Sequence, residues 1–162
     1  MKTFTEHINE ETETIKQFLK TQNNIEIKEI KNEGYSRYDF DFISGTTGNP
    51  FKIYGVCEAK TRNSNSNDYG DTGVLIELDK LNSICKEVTS KKEENINGDY
   101  RPYYLSKYND VTYLFNLEKC QLGNIIFKRC PKTSSIDGNT EWIDKACFLL
   151  NPKDAIIKIY ND

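Results

Sequence analysis

Along the chain the apolar positions change period several times, and each change marks an element. In INEETETIKQFLKTQ, residues 8–22, Ile8, Ile15, Phe18 and Leu19 recur on one face at helical spacing, with Asn9 or Thr12 as candidate caps. That spacing predicts a helix. From residue 25 the repeat shortens to two. Ile25, Ile27 and Ile30, then Tyr38, Phe40 and Phe42, predict two strands joined by a turn at Asn32-Glu33-Gly34. The turn-rich SGTTGNP, 44–50, leads into a third strand, FKIYGVCEAKTR, 51–62. A polar loop over 63–73 precedes VLIELDKLNSICKEVTSKK, 74–92, which reads as a second helix with Leu78, Leu81, Ile84, Cys85 and Val88 inward. Two strands follow in 101–118 around Tyr108-Asn109-Asp110. After Glu118, three apolar pieces (NIIF, KACFLL and AIIKIY) alternate with polar turns such as Ser134 to Asn139.

The predicted order is therefore α-β-β-β-α-β-β with a mixed C-terminal tail. It implies one α/β or α+β domain over 1–162, a mixed central sheet flanked by helices, a core over about 8–117 and an extension over about 118–162.

Composition adds three constraints. The chain has 162 residues, enough for one domain with a real core. Its mean hydropathy of −0.71 is low, but ten Tyr and eight Phe supply large buried areas from few positions. A net charge of −3 gives no global positive field, which counts against a nonspecific nucleic-acid binder while leaving room for a locally basic cleft. The five cysteines are widely spaced with no CxxC pair, and His7 is the single histidine, which argues against a zinc finger or zinc-hydrolase centre. Cys57 and Cys147 lie in apolar runs and read as small hydrophobes. With no apolar N-terminal segment, neither a signal peptide nor a membrane span is expected, and the expected location is a reducing cytoplasm.

Candidate chemistry concentrates in RYDFDFISGTTGNPFKIYGVCEAKTR, 37–62. Residues two apart on a strand share a face, so Asp39 pairs with Asp41 and Glu58 with Lys60, while Tyr38, Phe40 and Phe42 are expected opposite the aspartates. Neighbouring strands would bring an Asp, a Glu and a Lys together. Two carboxylates, a main-chain carbonyl and waters form a suitable oxygen shell for Mg²⁺, and the lysine can orient or help deprotonate an attacking water. The competing reading is a cross-strand salt bridge at a sheet edge, worth little if exposed. Glu-x-Lys alone has poor specificity. Glu26-Ile27-Lys28 and Glu29-Ile30-Lys31 repeat it, in an alternating segment whose charges suit a solvent face.

An acid on one strand followed by Glu58-Ala59-Lys60 on the next resembles the PD-(D/E)xK, restriction-endonuclease-like nuclease superfamily, over roughly Ile8 to Leu117. The resemblance implies a restriction-endonuclease-like core running helix, three-stranded meander, helix, strand. It also implies a Mg²⁺- (or Mn²⁺-) dependent nuclease acting on nucleic acid, DNA ahead of RNA. Asp39 or Asp41 matches the strand acid, Asp39 being favoured because it opens the apolar run; Tyr38 stands where the motif proline would. Glu58 matches the second acid, Lys60 the lysine, and the Ala59 carbonyl a third metal ligand. Glu11, on the apolar arc of the first helix, matches the extra glutamate that members often contribute, with an edge glutamate as the alternative. Lys80 opens the second helix as a candidate phosphate contact or as an ordinary surface lysine.

Arg62, Lys128 and Arg129 are further candidates for nucleic-acid contacts, as is the basic stretch with Lys86, Lys91 and Lys92; ordinary solvated surface is the alternative. Tyr100, Tyr103, Tyr104, Tyr108 and Tyr113 read as packing residues ahead of base-stacking ones. Trp142 reads as an anchor for the tail, or as a partner contact if exposed. The resemblance leaves a homodimer open. It also leaves open a catalytically inactive nucleic-acid- or protein-binding module on the same scaffold.

Overall fold

A computed structural model describes residues 4–31, 38–45, 51–68, 73–132 and 141–161, without the side chains of 4, 5, 7, 8, 11 and 19. The expected turns at Asn32 to Gly34, Thr46 to Pro50 and Ser134 to Asn139 lie outside the described residues.

The chain runs α1 (Phe4–Lys20), β1 (Ile25–Ile30), β2 (Phe40–Ser44), β3 (Ile53–Thr61), β4 (Val74–Glu77) and α2 (Leu78–Glu94). It continues β5 (Asp99–Lys107), β6 (Val111–Asn116), β7 (Ile126–Pro131), β8 (Trp142–Leu150) and, after a 3-10 turn at Pro152–Asp154, β9 (Ala155–Tyr160). A mixed α+β architecture results. Six strands form the central sheet in the order β1-β2-β3-β5-β6-β9, with β3 and β5 parallel and the other neighbours antiparallel. Three more form a smaller sheet, β4-β8-β7.

One expectation needs correction. Residues 74–92 do not form one helix, because Val74–Glu77 is a strand paired antiparallel with β8. Four apolar-rich residues carry no decisive period of their own; here the distant partner strand decides, and the helix starts only at Leu78. Helix α2 then turns Leu81, Ile84 and Val88 inward, whereas Cys85 is exposed rather than inward. The tail is also more integrated than an appendage, since β9 pairs with β6 and extends the central sheet.

Alternation along β3 separates two cores. Cys57 and Ala59 join Ile15, Phe18, Phe40, Phe42, Tyr103 and Leu105 on the α1 side. Val56 joins Leu81, Ile84, Val88, Tyr104 and Phe115 on the α2 side. Glu58 and Lys60 share the face of Val56, beneath α2. Gly55 sits opposite Phe42, and a Cβ there would lie 2.2 Å from the Phe42 ring, so the strand has a glycine where a buried aromatic crosses it. Tyr103, Tyr104, Tyr108 and Tyr113 are buried and Tyr100 packs against the α2-side core that holds the last three, as the packing reading expects. No helix among the described residues is long and apolar enough to cross a membrane.

Candidate active site

The site grows from the mouth of β2. Asp39 stands one residue before that strand, where its N–H donates to the Cys57 carbonyl (3.0 Å) and its own carbonyl accepts from the Lys31 N–H (2.7 Å). With Phe40 opposite Cys57, the Asp39 side chain falls beside Glu58 and Ala59, and its Oδ2 accepts from the Ala59 N–H at 2.6 Å. A strand residue points its N–H and C=O to the same edge, so the Ala59 carbonyl opens on the side of Asp39, beyond the end of β2.

Glu58 is 4% exposed, and its carboxyl acts on that of Asp39. One of its oxygens, Oε1, is 2.6 Å from the Nζ of Lys80, on the first turn of α2. Burial pushes the Asp39 carboxyl above its ordinary range. The Ala59 N–H, the Lys80 and Lys60 charges and the hydrogen bond with Glu58 pull it back only partway. Burial works against the charge of Lys80, yet Glu58, Asp39 and Glu77 outweigh it and hold the ammonium pKa above its usual value.

Asp41 behaves differently although it is two residues away. It lies opposite Val56, accepts from the Tyr38 hydroxyl at 2.9 Å and is 3.2 Å from the Nζ of Lys91, near the far end of α2. Tyr38 therefore does not share the Phe40–Phe42 face as expected. It is buried in the α2-side core, with the Lys91 and Lys31 ammonium groups 5.4 and 5.6 Å from its ring. Burial and Asp41 push its phenol far up. The physical reason is local: the chain ahead of Phe40 is not yet strand, so strand alternation does not apply to Tyr38.

The remaining candidates divide. Lys60 is half-buried on the Glu58 face, in register with Ser106 on β5. Ser106 is fully buried, and its hydroxyl has no hydrogen-bond partner among the described residues. Arg62 turns inward: its Nη2 donates to the Leu75 carbonyl (2.7 Å) and to the Tyr104 hydroxyl (3.3 Å). Lys128 and Arg129 lie on β7 in the smaller sheet and point to opposite faces. Lys128 is in register with Lys145; Arg129 is in register with Asp144 and 3.8 Å from it. The Glu11 side chain lies outside the described residues. Trp142, meant as an anchor, is half exposed. Lys86 is exposed, Lys91 holds Asp41, and Lys92 pairs with Glu118.

Two contributors escape a reading of the sequence. Glu77, the last residue of β4, reaches Lys80 electrostatically and is 2.9 Å from Lys145 of β8. That link joins the tail sheet to the site. No local signal announces it, because it depends on β4 pairing with a strand from the far end of the chain. Among the described residues no group of three or more His, Cys, Asp or Glu is placed to hold a metal. The oxygen-bearing groups that lie together here are Asp39, Glu58 and the main chain of Ala59. No protein-family model, no curated protein and no solved structure matches this chain.

Proposed function

We propose that this protein is a divalent-cation-dependent phosphodiester hydrolase acting on nucleic acid, built on a restriction-endonuclease-like core. The observation that carries the reading is the meeting of Asp39, at the mouth of β2, with the buried Glu58 of β3, two carboxyl groups that act on each other, with Lys60 on the Glu58 face of the strand. The element order supports it in part: helix, three-stranded meander, then, after the short β4 of the smaller sheet, a helix and a strand parallel to the third.

The residues fit Mg²⁺ or Mn²⁺. Two neighbouring carboxylates, one of them reluctant to ionise because it is buried, call for a positive partner. Asp39, Glu58 and the Ala59 carbonyl would hold the ion. When bound, it would neutralise the acids and stabilise charge on a phosphate oxygen. Lys60 orients the attacking water, whose oxygen bonds to phosphorus as the leaving oxygen departs. Lys80 is the candidate phosphate contact beside these acids; Lys128 and Arg129 point to opposite faces of the smaller sheet, so only one of them can face the same ligand. Arg62 contributes mainly by fixing the loop after β3, since its guanidinium is engaged with Leu75 and Tyr104.

One observation favours a second reading, a binding module without catalysis: Lys80 already provides Glu58 with a positive charge. A panel of labelled single-stranded, duplex and branched DNA and RNA, tested with Mn²⁺ and with chelator, separates the two. Cleavage that needs Mn²⁺ and disappears in both Glu58→Ala and Lys60→Ala, each still folded, is the expected result. Nucleic-acid binding without cleavage on any substrate favours the module; full activity in both variants rejects the assignment of residues.

A further inference from the structure

The first turn of α2 is an unfavourable place for a lysine, because the helix dipole presents positive partial charge there. Lys80 is held against that preference by three carboxylates, Glu58, Asp39 and Glu77, with its Nζ 2.6 Å from Glu58 Oε1. Its side chain is 45% exposed while that of Glu58 is 6% exposed, so the amine reaches a buried acid from the solvent side and has open space to leave by. The contrast with Lys91 is informative. Lys91 serves Asp41 from the last turn of the same helix, where the dipole favours a cation, and its side chain is only 22% exposed.

We infer that Lys80 is a resident ammonium of the cation site, which competes with a divalent ion for Glu58 and is released when the ion is taken up. This rests on the proposed function, because it needs Asp39 and Glu58 to be the acids that hold the ion. The released amine remains tethered at the edge of the site, free to meet an anionic phosphate oxygen. Taking up the ion and presenting a phosphate contact are then one event. By thermodynamic reciprocity, whatever draws Lys80 away from Glu58, a bound phosphodiester included, also tightens the hold on the ion.

The test is calorimetric titration of the full chain with Mn²⁺, comparing wild type, Lys80→Met and Lys91→Met. Removing any nearby positive charge tightens cation binding somewhat, so Lys91→Met measures that general effect. Competition predicts about tenfold or more tighter binding in Lys80→Met and no more than about twofold in Lys91→Met. A second readout needs no variant: saturating Mn²⁺ should raise the acylation rate of the Lys80 amine, read by mass spectrometry, and leave that of Lys91 unchanged. If wild type binds Mn²⁺ but Lys80→Met is no tighter than Lys91→Met, or Lys80 reactivity does not rise, the inference is overturned and the proposed function stands. If neither wild type nor Lys80→Met binds Mn²⁺, both fall.

Discussion

Asp39 and Asp41 are two residues apart, both near α2, and the molecule treats them in opposite ways. Asp41 has a hydroxyl donor and an ammonium of its own, from Tyr38 and Lys91, and the acid opposite it, Glu29 of β1, has a separate partner in Lys31. Such a group is a fastener between sheet and helix. Asp39, equally half-buried, takes one main-chain N–H and shares its surroundings with Glu58 and with the Lys80 that serves Glu58. An arrangement built only for stability would not set two acids side by side where burial already disfavours their charge. The difference teaches that partners, not the Asp-x-Asp spacing, decide which acid is available for chemistry.

The comparison breaks most visibly in activity. Asp39→Ala should lower divalent-dependent cleavage by about a hundredfold to a thousandfold, the scale of removing one stabiliser of transition-state charge, while Asp41→Asn keeps most of it. A cleavage assay on the best substrate of the panel checks this, and equal losses would erase the distinction.

Stability should show the opposite order. Asp41→Asn or Lys91→Met removes a charge-assisted contact that is less than a quarter exposed, and should cost about 1–2 kcal/mol in urea unfolding. Asp39→Asn should instead stabilise the metal-free protein at neutral pH. The sign follows from linkage. Because the Asp39 pKa is raised in the folded state, folding binds more protons than unfolding over the window above its ordinary value of 3.8. Stability is therefore lost as the pH rises from there through the folded value, and an uncharged amide removes that loss. Thermal melts between pH 4 and pH 8, with wild type sloping downward relative to Asp39→Asn, check it.

The smallest effect belongs to the other Glu-x-Lys copies. Glu26 pairs with Lys28 in exposed positions on edge strand β1, and Glu29 pairs with the half-buried Lys31 just beyond it. Glu26→Ala should shift stability by no more than about 0.5 kcal/mol and leave cleavage unchanged, since surface pairs contribute little.

Much of this was legible in the residues. The period change from α1 to β1, the strands around residues 40–44 and 53–61, and the Tyr108–Asp110 turn all follow from local pattern and turn chemistry. The nearness of Glu58 to an acid at the mouth of β2 was legible too, because antiparallel neighbours place facing residues in contact. What escaped was non-local. Whether 74–77 is helix or strand is settled by β8, and the Glu77–Lys145 link follows from that pairing. Tyr38 was misplaced because alternation was extended one turn too early, into chain that is not strand. Which aspartate is spoken for could not be read at all, since Lys91 reaches Asp41 from fifty residues away.

The most direct measurement is Mn²⁺ titration of wild type, Asp39→Asn and Asp41→Asn under identical conditions. Wild type and Asp41→Asn should each take up the ion with similar affinity, and Asp39→Asn should lose it. Undiminished uptake by Asp39→Asn, or none by wild type, would contradict the account.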